Sequence, residues 1–248
     1  MSPGSHAADP AASPVLILAA MPEEAAPLRA RLREAEELAV PFVRAVSAVR
    51  GLLEGRPAVV VTTGIGMAAA SAATTWAILV SSPRLVISAG SCGGLAADVE
   101  VGTLVIGEAA TGSIADATAF GYAPGQVPGD PERYLVDPEL VAAATAAAGG
   151  SPVRTGLMLS GDAFVTADLA APMRERFPGA VSADMETTAI ARTADVLGVP
   201  FIPLRAISDL CGPAAGQQFH LELEVVAETS AAAVAALVAA LPAEPSIR

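Results

Sequence analysis

The chain has no lysine: all 14 basic residues among its 248 are arginine. This excludes a nucleotide-binding P-loop, whose Gly-rich turn delivers a lysine to the phosphates. Aromatic residues make up 4% of the chain, against 53% hydrophobic residues overall. The core must therefore be Ala, Val, Leu and Ile packed closely. Two cysteines, Cys92 and Cys211, cannot make a disulfide framework and read as buried thiols of a reducing compartment. No His, Cys and acid cluster has metal-ligand spacing, so no metal and no other cofactor is expected. Basic residues are outnumbered by 26 acids, and the net charge of −12 argues against nucleic acid or an anionic membrane as partner. Gly, Pro or charge interrupts the apolar runs before the roughly 20 residues of a bilayer span. No basic, apolar leader is visible. The expectation is a soluble cytoplasmic protein.

What is present is an alternation. Short apolar runs over Pro14–Ala20, Ala58–Gly64, Arg84–Gly90, Gly102–Ala110, Val153–Val165 and Val199–Ser208 read as strands. Helical spacing covers Pro22–Leu38, Ile65–Val80, Pro138–Ala148, Ala167–Phe177, Met185–Gly198 and Leu223–Leu241. Pro22, Glu23 and Glu24 suit a helix N-terminus. Residues 112–136 are Gly- and Pro-rich and read as a loop holding Phe120, Tyr122 and Tyr134. The class is α/β, with a largely parallel sheet covered by helices on both sides. A disordered tail is expected over 1–14, one domain over 15–242 and a second tail over 243–248.

Polar residues gather just after strand ends, at Met21–Glu24, Gly64–Gly66, Ser91–Gly94, Ser160–Phe164 and Ser208–Asp209. Ligands of open α/β sheets bind outside the carboxyl ends of strands, so these segments can converge on one pocket. Neither "TGIG" nor "AGSCGG" matches a dinucleotide fingerprint. There is no Gly-x-Ser-x-Gly elbow for a serine nucleophile. The acids carry two readings. Glu24 and Glu186 suit helix first turns, Asp184 an N-cap and Asp209 a turn cap. A strand-end carboxylate can equally serve as a general base, and a buried one as a proton donor. Arg205 is placed to pair with one of them.

Taken in order, "LAAMPEEAAPLRARL", "TTGIGMAAASAAT", "SAGSCGGLAADVEVGTLVIGE", "ADATAFGYAPGQVPGDP", "GLMLSGDAFV", "ADMETTAIA" and "VPFIPLRAISDL" resemble the nucleoside phosphorylase superfamily. Within it they are most similar to the nucleosidases of 5′-methylthioadenosine and S-adenosylhomocysteine. The resemblance runs from about Val15 to Leu241. It implies a mixed, partly barrel-like sheet surrounded by helices, and a homodimer. It implies that Glu24 activates the attacking water and that Asp209 donates a proton or hydrogen bond to purine N7, with Ser208 beside it. Glu186 would hold ribose hydroxyls and Met185 would pack on the sugar. Phe164 would stack near the base, and the Val165 backbone would read the adenine edge. Met21, Ile65, Ser91, Cys92, Gly93 and Asp184 would complete the binding site, and Arg205 would orient the acids. Phe120, Tyr122 and Pro128 match a loop that reaches the neighbouring subunit's pocket.

The rival branch transfers the sugar to phosphate, which requires cations to hold that anion. The phosphorylases carry an arginine where this chain has Ser88, and their Gly-Asp-Pro-x-Arg loop is replaced here by "AMPEEAA". Water is therefore the expected nucleophile. The chain also departs from the nucleosidase pattern. Asp184 stands where Glu is usual, Cys92 replaces a small residue, Met67 replaces a lysine, and Pro22 interrupts an acidic triplet. These leave three alternatives: a purine nucleoside phosphorylase, a nucleosidase for another 5′-modified substrate such as a futalosine type, and a non-catalytic nucleoside-binding protein.

Overall fold

The computed structural model describes residues 13–150 and 152–242. Of the tail expected over 1–14 only 13 and 14 are described, and the tail expected over 243–248 lies outside the described residues.

Strand β1 (Val15–Ala19) is buried at all five positions, as a run without polar alternation requires. It lies between β4 (Arg56–Thr62) and β5 (Leu85–Gly94), parallel to both. On its other edge β5 runs parallel to β10 (Phe201–Asp209). From β10 the sheet continues antiparallel to β6 (Leu104–Gly112), then parallel to β8 (Val153–Ser160) and β9 (Ala180–Asp184). Strand β9 closes the ring by pairing antiparallel with Gly93 and Gly94 at the end of β5. The ring β5–β10–β6–β8–β9 is thus a small barrel. The arm β1–β4–β3–β2 extends from it, with β2 at Arg33–Leu38 and β3 at Ser47–Leu53. The two-residue β7 (Tyr134–Leu135) adds to β6.

Helices α1 (Pro22–Arg31), α2 (Met67–Ser81), α3 (Pro138–Ala147), α4 (Ala167–Arg176), α5 (Thr187–Val196) and α6 (Ala215–Ala240) surround the sheet. The core between them is mostly aliphatic, from Leu16, Ile17, Leu18, Val60 and Ile87 to Ile202, Leu204 and Val238. By length and composition α6 could cross a bilayer over Glu222–Ala240, although Glu224 and Glu228 interrupt its apolar run. Here that helix packs on β10, β5 and α1.

Several elements differ from the sequence expectation, among them β3 and the short β7, which lie where no strand was expected. The first helix stops at Arg31, and "REAEEL" is the edge strand β2, exposed at every position but Leu38. Pairing with β3 overrides the helical propensity of its glutamates, and the charges protect an open sheet edge. Strand β9 lies where only the approach to a helix was expected. Helix α6 begins at Ala215, eight residues before the expected Leu223.

Candidate active site

The carboxyl ends of the parallel β1, β4, β5 and β10 meet those of β8 and β9, which run the opposite way. Between them lies a cavity of about 290 Å³. All fourteen residues expected in the catalytic and binding site line it: Glu24 and Asp209, with Met21, Ile65, Ser91, Cys92, Gly93, Phe164, Val165, Asp184, Met185, Glu186, Arg205 and Ser208. Phe120, Tyr122 and Pro128 do not. They belong to a separate loop around the 3-10 turn Thr118–Phe120, where Phe120 is 82% exposed.

Glu24 sits in the first turn of α1 but turns away from solvent and is buried. Its Oε2 accepts from the backbone N–H groups of Ala20 (2.9 Å) and Met21 (3.1 Å). Its Oε1 accepts from the N–H (2.8 Å) and hydroxyl (2.7 Å) of Ser91. Four donors thus fix both oxygens. Gly90 makes room for this carboxylate: at φ +126° it lies so close that a Cβ would stand 2.6 Å from Oε1.

Arg205 is buried and pairs with both Asp184 and Glu186. Its Nε lies 3.4 Å from Asp184 Oδ2 and its Nη2 3.3 Å from Glu186 Oε2. The guanidinium also donates to Ser88 Oγ (3.1 and 3.2 Å) and to the Ser91 carbonyl (2.8 Å). Asp184 is the last residue of β9. Its Oδ1 accepts from the N–H groups of Glu186 and Thr187, both at 3.0 Å, and from Ser160 Oγ at 2.6 Å. It therefore caps α5 from outside, and Glu186 takes the N-cap position rather than the expected first-turn position. That shift frees the Glu186 side chain to enter the cavity, where Oε1 accepts from Gly66 N–H at 3.0 Å. Burial pushes the Glu186 carboxyl up to about 7, against the opposing pull of Arg205 and with Asp184 adding to the rise.

Asp209 ends β10 and lines the same cavity. Ser208 Oγ donates to its Oδ2 (3.0 Å) and Cys211 N–H to its Oδ1 (2.9 Å). Burial raises its pKa despite those donors. Gly93 permits the packing here, since a Cβ on it would stand 2.5 Å from Cys211 Sγ and 3.2 Å from Asp209 Oδ1. Burial likewise pushes the Cys211 thiol up to about 12 and the Cys92 thiol well above its ordinary range, so both are neutral. Phe164 meets Phe219 edge to face, with centroids 5.8 Å apart. Among the described residues, no group of three or more His, Cys, Asp and Glu is placed to hold a metal.

Sequence reading missed five lining residues: Ala20, Ala163, Ala183, Cys211 and Phe219. Phe219 had no local signal, because only the early start of α6 brings it across the pocket. Cys211 lies two residues beyond Asp209 and could have been included with it.

The profile of the Phosphorylase superfamily matches residues 14–242, and the chain belongs to that superfamily. Within it, the chain is 38% identical over 229 residues to the 5′-methylthioadenosine/S-adenosylhomocysteine nucleosidase of Geobacillus kaustophilus, covering 91% of this chain and 96% of that one. Two solved structures of nucleosidases so named are also similar. One, from Neisseria meningitidis in complex with methylthio-immucillin-A, has a TM-score of 0.88 at 38% identity and covers 92% of this chain and 100% of its own. The other, from Colwellia psychrerythraea in complex with adenine, has a TM-score of 0.89 at 31% identity and covers 94% and 97%.

Proposed function

We infer that the protein hydrolyses the N-glycosidic bond of 5′-methylthioadenosine and S-adenosylhomocysteine, releasing adenine. The observation that carries the choice of water over phosphate is the charge of the cavity. Among the described residues Arg205 is the one basic residue lining it, and Asp184 and Glu186 both engage it. Among the described residues no further cation is left for a phosphate dianion, and Glu24 in the same lining repels one.

The geometry supports a role for each of these residues. Bond breaking leaves negative charge on the purine and positive charge on the sugar. Asp209, with its raised pKa, is suited to give a proton to the departing base. Glu24 is suited to take a proton from water on the other side of the sugar. Of its four donors only the Ser91 hydroxyl can rotate away, so that is where water enters its hydrogen-bond shell. Glu186 holds ribose hydroxyls, and the excess carboxylate charge around Arg205 favours a cationic sugar. Phe164 and Phe219 wall the base.

We also propose a cytoplasmic homodimer acting in methionine salvage. Phe120 supports the dimer: an aromatic side chain on a loop tip that touches none of its own cavity fits a role in a neighbour's pocket. The two free, buried cysteines fit a reducing compartment.

The test is a panel of methylthioadenosine, S-adenosylhomocysteine, 5′-deoxyadenosine, adenosine and inosine, each with and without phosphate. Adenine should appear from the first two in phosphate-free buffer. Asp209→Asn should lower turnover by about 10²–10⁴-fold with an unchanged far-UV spectrum. Cleavage only with phosphate, yielding a sugar 1-phosphate, would refute hydrolysis. Light scattering at the mass of a single chain would refute the dimer.

A further inference from the structure

Helix α2 offers no acceptor of its own to its leading amides. Gly66 is its N-cap, with no side chain, and Met67, Ala68 and Ala69 follow. Both leading N–H groups go to acids from distant segments. Gly66 N–H donates to Glu186 Oε1 at 3.0 Å, and Met67 N–H donates to Asp162 Oδ1 at 2.7 Å. The positive end of the helix thus holds two carboxylates on consecutive amides. Only glycine allows this, because a Cβ at residue 66 would stand 2.8 Å from Asp162 Oδ1 at φ +100°.

Glu186 lines the substrate cavity, and Asp162 belongs to a loop that borders it. Glu186 is the sugar-side carboxylate. Asp162 does not line the cavity, but the next three residues, Ala163, Phe164 and Val165, line its base side. That loop is fastened at its start, where Ser160 Oγ donates to Asp184 Oδ1 (2.6 Å) and Gly161 N–H to the Asp184 carbonyl (3.1 Å). The Asp162 carboxylate ties it to α2.

We propose that Asp162 is a positioning residue. By gripping the amide beside the one that Glu186 grips, it sets the distance between the base-side loop and the ribose carboxylate. The proposal rests on reading the cavity as an adenine nucleoside site. A base wall acts on the ground state and the transition state alike, so its displacement raises KM more than it lowers kcat.

The test compares Asp162→Ala with Asp162→Asn, whose side-chain carbonyl can still accept from Met67. Steady-state kinetics use methylthioadenosine in phosphate-free buffer, and calorimetry measures free adenine. The Ala variant should raise KM and the adenine Kd by about tenfold, with kcat within about threefold of wild type. The Asn variant should recover most of both losses. Unchanged adenine affinity in the Ala variant overturns the proposal. So does a parallel loss of kcat and thermal stability in which Asn is no better than Ala, since that describes a fold defect. If the wild type binds adenine but cleaves nothing, hydrolysis is the reading that fails, and the adenine comparison still decides the role of Asp162. If it binds no adenine, both readings fall.

Discussion

A methyl group added at Gly90 should disable the protein through Glu24. The Cβ of Gly90→Ala would stand 2.6, 2.7 and 2.9 Å from Oε1, Cδ and Oε2 of Glu24. To reach ordinary contact at 3.4 Å, the carboxylate must retreat by about 0.8 Å. It has nowhere to retreat to without lengthening bonds of 2.7–3.1 Å to Ala20, Met21 and Ser91 beyond hydrogen-bond range. Backbone strain at the φ of +126° contributes about 1–3 kcal/mol. Overpacking contributes about as much again. The expected loss of stability is about 2–6 kcal/mol, read as a shift in urea midpoint at constant m-value. A misplacement of this size in a catalytic group should lower kcat by about 10²-fold, read as adenine released in phosphate-free buffer. Gly198→Ala is the control. Its φ is +69° with open space around the new Cβ, so it should lose about 1–2 kcal/mol and keep its kcat. A Gly90→Ala protein with turnover within threefold of wild type and an unchanged midpoint would refute both the packing argument and the role given to Glu24.

Two further outcomes follow from the buried charges. Arg205→Met removes the cation that pairs with both Asp184 and Glu186 and should destabilise the fold by about 3–5 kcal/mol in chemical denaturation. Adding Asp184→Asn should recover part of that loss. Glu186 titrates near 7 when folded, against its ordinary 4.5, so the native state holds more protons than the unfolded state between those values. Stability should therefore fall as pH rises from about 4.5 through about 7 and level off above, and Glu186→Gln should flatten that slope. Asp209, also raised by burial, contributes a slope of the same sign that the variant retains.

Much of the site was legible because its signals are local. A carboxylate or a small residue just past an apolar run marks a strand end, and strand ends share one side of a parallel sheet. Glu24, Ser91 and Asp209, at the ends of the mutually parallel β1, β5 and β10, could be placed that way without knowing which strands are neighbours. The residues that were missed depend on partners far along the chain. "REAEEL" has helical composition and became a strand because β3 offers it an edge. "AVSAD" is too short to show a period, and its pairing with β8 and Gly93–Gly94 makes it β9.

Most of the order of strands and helices and the aliphatic core were therefore set along the chain, through periodicity, turn residues and composition, and the family resemblance singled out the acids. Closure of the barrel was not, because it depends on β5 pairing with β10 over its length and with β9 at its last two residues. Nor was the division of labour among the acids. Asp184, Glu186 and Asp209 are alike as side chains. Asp184 was readable as a cap, but only the folded arrangement sets it beside Arg205, buries Glu186 until its carboxyl is pushed up to about 7, and buries Asp209 at the end of β10. Burial and neighbouring charge act through space, and the distances they act over exist only once the barrel has closed.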